Sequence, residues 1–160
     1  MDCNGQSPGA QDSSHVVLLS VAREVIQATP NCALITLDGE GRARVRAMDA
    51  FLPDENWVVW LATRPKSRKV AQINEDPRVT LYYFDHTNPG YVMIYGQAEL
   101  VENAQQKNEH WKEGWEEFYP NPKEDLLLIK VTPQWMEVLS TKHQILGDSV
   151  TWQPKSVQFE

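Results

Sequence analysis

Short strand-length runs, each closed off by turn residues, constrain this chain more than any other feature. Cys32–Leu37 is apolar and β-branched, Asp38-Gly39-Glu40-Gly41 is a strong hairpin turn, and Arg42–Phe51 reads as the returning strand. Pro53-Asp54-Glu55-Asn56 turns the chain into Trp57–Thr63, a nearly continuous apolar run. Arg78–Asp85 and Tyr91–Val101 form a further pair across the loop His86-Thr87-Asn88-Pro89-Gly90, and Leu126–Val131 and Trp135–Ser140 follow. Strands this short bury their apolar faces only by pairing with one another. Helices are fewer. Ser13 or Ser14 caps one that runs to about Ala28, with Leu18, Val21, Ala22, Val25 and Ile26 at helical spacing. Lys66–Asn74 reads as a short second helix. Asn103 caps a third, Ala104 to Phe118, with Trp111, Trp115 and Phe118 on one stripe. The tail to Glu160 has no clear pattern. The expectation is an α+β fold: six or seven mostly antiparallel strands in a closed or partly closed barrel with flanking helices.

At 160 residues the chain suits one domain, assigned to 14–160, with residues 1–13 as a flexible polar arm. Its two cysteines, Cys3 and Cys32, make neither a disulfide framework nor a metal motif. No apolar run approaches the roughly 20 residues of a membrane span, and no signal-peptide pattern is visible, so a cytoplasmic location is the default. The alternative is a processed secreted or lipid-anchored protein beginning at Cys3, although Asp2 fits such a cleavage site poorly.

The net charge of -7 disfavours a general nucleic-acid or anionic-membrane binder. It is unevenly spread. Between Arg42 and Lys69 lie seven of the 15 basic residues and three of the 22 acids, so that stretch carries +4 and the remainder -11. There is no GxGxxG, P-loop, GxSxG or HExxH, and His15, His86, His110 and His143 lack metal-ligand spacing. No acid/base pair stands out, so no catalytic residue is assigned.

Two basic elements flank the apolar strand Trp57–Thr63. Alternation places Arg42, Arg44 and Arg46 on one strand face with Met48. One strand later, Thr63-Arg64-Pro65-Lys66-Ser67-Arg68-Lys69 opens a helix, where free backbone N–H groups favour an anion. A serine hydroxyl beside two or three cations would make a phosphate cradle. Solvated surface charge accounts for the same residues equally simply.

Order and spacing over Asn31–Leu139 add a resemblance. It rests on Ala33-Leu34-Ile35-Thr36 with its Asp-Gly turn, Arg46-Ala47-Met48, and Trp57-Val58-Val59-Trp60-Leu61-Ala62-Thr63. It rests further on Ser67-Arg68-Lys69-Val70-Ala71-Gln72-Ile73 followed by Asp76-Pro77-Arg78-Val79, on Gly96-Gln97-Ala98-Glu99-Leu100, and on the helix holding Trp111 and Trp115. In combination these pieces resemble the pyridoxamine 5'-phosphate oxidase-like split-barrel superfamily that binds flavin mononucleotide (FMN), and most of all its general-stress-protein branch. The resemblance implies a split β-barrel and a homodimer with the flavin in the subunit interface. It implies that Arg46 and Lys69 bind the FMN phosphate with help from Ser67 and Arg68, that Ala62 and Thr63 lie along the ribityl chain or ring, and that Ala47 and Met48 pass under the isoalloxazine edge. Tyr91 falls where relatives often carry a flavin-contacting glutamine, and Trp111 or Trp115 would reach the flavin, in one version from the second chain.

Two departures narrow the function. Vitamin B6 oxidases end in a segment with arginine and tryptophan that holds substrate and flavin, whereas this chain has no arginine after Arg78. That argues against oxidation of pyridoxine or pyridoxamine phosphate. Stress-protein relatives often show Phe-Pro-Gly-Gly after the tryptophan helix; here the loop is Tyr119-Pro120-Asn121-Pro122. The expectation is a flavin-dependent oxidoreductase acting with a small-molecule electron donor or acceptor. The alternatives are a non-catalytic flavin carrier or sensor, and a deazaflavin (F420) or haem-binding member of the same barrel.

Overall fold

The computed structural model describes the chain from Gly9 onward, with side chains from Ser14. Seven strands form one sheet: β1 (Cys32–Leu37), β2 (Ala43–Met48), β3 (Val59–Thr63), β4 (Arg78–Asp85), β5 (Gly90–Val101), β6 (Leu127–Ser140) and β7 (Lys155–Gln158). Every pairing is antiparallel, in the order β2-β1-β4-β5-β6-β3, with β7 added to β6. The helices are α1 (Gly9–Gln27), α2 (Arg68–Glu75), α3 (Ala104–Glu109) and α4 (Pro122–Asp125), with a 3-10 turn at Trp115–Glu117. The protein is therefore α+β. Its barrel is split, because the end strands β2 and β3 do not pair with each other.

Alternation decides which side of the sheet each residue serves. Directly paired residues share a face, so Arg46, Leu34 and Leu81 lie on the inner side, and Ala47, Ala33 and Tyr82 on the outer side. The core is built from Leu34, Leu81, Ile94, Val59, Leu61 and Met136, all fully buried. Helix α1 lays Leu18, Val21, Ala22, Val25 and Ile26 onto it, the same five positions that the helical spacing marks. The helix starts at Gly9 rather than at Ser13 or Ser14. The arm assigned to residues 1–13 thus runs into it, while residues 1–8, including Cys3, lie outside the described residues.

Beyond the shorter β2 and β3, the shifted α2 and the added α4, three elements differ from expectation for identifiable reasons. The two strands expected around Pro133 are one continuous strand, β6. Proline has no N–H to give the ladder, and the pairing absorbs this with a register shift at Tyr95/Gly96, where Gly96 faces Pro133. A Cβ on Gly96 would stand 2.2 Å from the Thr132 carbonyl oxygen, so the close approach requires glycine. The helix expected over Ala104–Phe118 ends at Glu109 with His110 as its cap. Gly114 then adopts a left-handed φ of 88° and restarts the chain as the 3-10 turn. Of the expected stripe, Trp115 is buried, Trp111 half-buried and Phe118 62% exposed. The tail contributes β7, whose Val157 packs into the core, as does Phe159 beyond it.

Glycine substitutions separate these two constraints. Gly96→Ala is expected to lower stability by ~2 kcal/mol or more, because rigid backbone stands where the methyl must go. Gly114→Ala meets no atom and bears only the left-handed backbone cost of about 1 kcal/mol. Urea unfolding of both variants checks the ranking.

Candidate functional site

Where the barrel fails to close, a cleft of about 460 Å³ opens between the ends of β2 and β3. Ala47, Met48 and Asp49 line one side, and Ala62, Thr63 and Arg64 the other. Ser67 and Lys69 lie at the start of α2, and Trp115, Phe118 and Tyr119 form an aromatic wall. A backbone bond from Phe51 N to the Trp60 carbonyl spans the gap below, at 2.9 Å.

Ser67 occupies the cap position of α2 but makes no capping bond. Its hydroxyl lies 2.9 Å from Thr63 Oγ1, which also accepts from Lys69 Nζ at 3.1 Å. Two hydroxyls and an ammonium group are thus gathered at one end of the cleft, beside the helix start. Helix α2 buries Val70 and Ile73, which fixes its rotation and turns Lys69 and Gln72 toward the strands. Arg46 comes up from β2. Its Nη1 donates to Thr36 Oγ1 at 2.7 Å and its Nη2 to Gln72 Oε1 at 3.0 Å.

The charges here are unusual in their company. Arg42 and Arg44, expected to share a face with Arg46, are both taken by Asp38, which accepts from each Nε at 2.9 Å. Arg64 donates to the Phe118 carbonyl at 2.6 Å, closing the aromatic wall against β3. Lys112 does the same on the β2 side, donating to Asp49 at 2.6 Å and to the Ala50 carbonyl at 2.9 Å. Arg46, Arg68 and Lys69, by contrast, form no ion pair with a carboxylate among the described residues. Burial lowers the Lys69 pKa, and the charges of Arg46 and Arg68 push it further down. Burial likewise lowers that of Arg46, with Arg68 and Arg44 adding to it. A bound anion would relieve this repulsion.

The cleft therefore brings together Ala47, Met48, Ala62, Thr63, Ser67 and Lys69. Arg46 and Arg68 act on Lys69 through their charge but do not line it, and Arg46 lines a second cleft on the other side of β2. Tyr91 does not line it. That residue lies on the outer side of the sheet, paired with Phe84, its ring 5.4 Å from that of Tyr82. Trp111 stands behind the wall, edge-on to Trp115 at 5.8 Å and to Tyr119 at 6.5 Å. Thr36 and Gln72 hold Arg46 and were not singled out by sequence reasoning. Gln72 lies three residues from Lys69 on one helix face, a signal that was available; nothing in the spacing marks Thr36. Among the described residues no group of three or more His, Cys, Asp or Glu is placed to hold a metal, and no helix is long and apolar enough to cross a membrane.

An antiparallel barrel left open between β2 and β3, with a cationic, hydroxyl-lined cleft in the opening, defines a split-barrel protein whose site suits an anionic ligand. The chain belongs to the pyridoxamine 5'-phosphate oxidase-like family, whose model matches residues 18–157. No curated protein matches the sequence. Among solved structures, it is similar to a Clostridium acetobutylicum protein related to general stress protein 26, with 20% identity and a TM-score of 0.72 over 90% of this chain and 94% of that one. It is similar also to a pyridoxamine 5'-phosphate oxidase-related, FMN-binding protein from Nostoc punctiforme, with 15% identity and a TM-score of 0.62 over 98% of both chains. A haem-binding protein from Mycobacterium smegmatis shares the fold, with 15% identity and a TM-score of 0.62 over 86% of this chain and 56% of that one.

Two carboxylates outside the cleft, in the β1–β2 turn and at the end of α2, make a pH prediction. Asp38 is held well below the usual carboxylate range, first by the Arg42 backbone N–H, and Asp76 is lowered to about 2, chiefly by the Arg78 side chain. Both pKa values are depressed in the folded state. Their stabilisation is therefore present above the unfolded value of about 4 and is lost as pH falls through the folded values. Thermal unfolding of Asp38→Asn and Asp76→Asn is expected to show a shallower loss of Tm below about pH 4 than the parent.

Proposed function

We propose that the protein is an FMN-binding flavoprotein. The observation that carries this reading is Lys69, gathered with two hydroxyls at one end of an apolar-walled cleft, with the charges of Arg46 and Arg68 acting on it and none of the three paired with a carboxylate among the described residues. The donor set fits a phosphate monoester: Lys69 supplies a point charge, Arg46 a planar fork, and Ser67 and Thr63 hydroxyl donors. Arg68 adds charge at the helix start. Ala62, Thr63, Ala47 and Met48 then lie along the remainder of the cofactor. The nearby FMN-binding structure and the family support this reading. When bound, the flavin supplies the redox chemistry, exchanging hydride or electrons with a small-molecule partner. The protein's own part is to anchor the phosphate, wall off the ring and limit water.

A homodimer is part of the proposal. The outer side of the sheet presents Val45, Phe84 and Tyr82, exposed by 64%, 49% and 36%, around a second cleft of about 450 Å³. Ala47 lines both clefts. A second copy seated on this patch would cover the apolar surface and bring Tyr91, or the partner copy's wall, near the ring.

A non-catalytic carrier or sensor is the second reading. Asp49, the one carboxylate lining the cleft among the described residues, is tied to Lys112, so the cleft offers no free carboxylate. Oxidation of reduced nicotinamide by the flavin-loaded protein separates the two, since a carrier shows negligible turnover.

Lys69→Ala and Arg46→Ala are each expected to weaken FMN binding by ~1–3 kcal/mol while leaving riboflavin binding little changed. Fluorescence titration with both ligands is the measurement. Equal FMN affinity in parent and variants, or retention of F420 or haem in preference to FMN, removes the reading. For the dimer, Phe84→Asp is expected to shift the light-scattering mass from dimer to monomer. A parent that is already monomeric with FMN bound refutes the shared site.

A further inference from the structure

Gln72 carries no charge, yet it holds the arginine on which the cradle depends. Its amide oxygen accepts from Arg46 Nη2 at 3.0 Å and from Thr36 Oγ1 at 2.6 Å. Thr36 in turn accepts from Arg46 Nη1 at 2.7 Å, and the Arg44 and Leu34 carbonyls accept from the same nitrogen at 3.0 and 3.3 Å, so Gln72 is the acceptor that holds Nη2 and every acceptor is neutral. Several other arginines are fixed differently, although Arg64 too donates to a neutral acceptor, the Phe118 carbonyl. Arg42 and Arg44 are both held by the carboxylate of Asp38, and Arg78 by that of Asp76. A carboxylate gives a stronger hydrogen bond, but it also cancels the charge it positions. At Arg46 the fixing group is neutral. The charge is held in place and left for a ligand.

We propose that Gln72 is the positioning residue that sets the charge selectivity of the cleft. By fixing Arg46 without neutralising it, Gln72 makes the cradle discriminate a dianionic phosphate monoester from an uncharged analogue of the same ring. This rests on the FMN reading above and extends it to a residue that does not touch the ligand. Gln72 also joins α2 to β1 through Thr36, and a purely structural tie would need only an acceptor at that point. Glutamate has the same length and both acceptor positions, so it preserves the tie and changes only the charge.

The test is the ratio of riboflavin to FMN dissociation constants, measured by fluorescence titration for the parent, Gln72→Glu and Gln72→Met, with Tm followed for each. Gln72→Glu is expected to reduce the ratio by about tenfold or more, with the riboflavin constant within about twofold of the parent and Tm unchanged or higher. Gln72→Met leaves Arg46 charged but loosely held, and is expected to reduce the ratio by about threefold. A folded Gln72→Glu variant with the parent's ratio overturns the proposal. Should that variant fail to fold, a parental ratio in Gln72→Met overturns it equally. A parent that binds riboflavin and FMN alike refutes the phosphate cradle itself, a result distinct from a discriminating parent indifferent to residue 72.

Discussion

The open edge between β2 and β3 is the constraint from which the rest of the site follows. Strands at a sheet's ends carry unpaired backbone groups and invite either closure or covering. Here the gap is bridged by a backbone bond between Phe51 and Trp60 and then covered by two segments of different character. Helix α2 closes one end with charge and hydroxyls. The chain from His110 to Tyr119 closes the other with aromatic rings, pinned to β2 through Lys112 and to β3 through Arg64. Polar and apolar ends of one cleft thus come from two separate pieces of chain. That is the arrangement an amphipathic ligand with an anionic tail and a flat ring would require.

Arrangement of charge matters here more than its amount. The basic stretch from Arg42 to Lys69 reads in sequence as one patch, but the fold sorts six of its seven cations into two kinds. Arg42, Arg44 and Arg64 are committed to protein acceptors and serve the hairpin and the aromatic wall. Arg46, Arg68 and Lys69 are brought close to one another with no carboxylate partner among the described residues; burial and then Arg68 lower the proton affinity of Arg46, and burial and then Arg46 and Arg68 lower that of Lys69. Mutual repulsion of this kind destabilises the unliganded fold, and it is uncommon where charges serve structure alone.

Much of this was legible in the sequence, and the reasons for success and failure are local. Strand periodicity is read residue by residue, so β1 and β4 came out to the residue and α1 with its five buried positions. The expected tryptophan helix breaks because Trp111, Trp115 and Phe118 keep helical spacing across a glycine that the backbone uses as a left-handed break. β7 is not legible in the sequence because Lys155-Ser156-Val157-Gln158 offers one apolar residue, and its pairing with β6 supplies what its own pattern lacks. In the site, residues on one helix start or one strand face could be grouped from spacing. Asp38 could not be recognised as the acceptor of Arg42 and Arg44, because an aspartate in a hairpin turn already has a sufficient local explanation.

The Thr36–Gln72–Arg46 junction shows where such reading ends. The residues come from β1, α2 and β2, and nothing within any one segment marks them as partners. Gln72 stands in the matched Ser67–Ile73 run with no evident role, polar on a helix that is otherwise explained by Val70, Ile73 and its cations. Only when the sheet sets Leu34 opposite Arg46 and Thr36 opposite Arg44 does the guanidinium reach across the strand pair toward α2. A neutral side chain then occupies a position where a carboxylate would have satisfied the arginine better. The stronger hydrogen bond is forgone at a half-buried cation, which is unfavourable for folding and becomes intelligible once an anion completes the site.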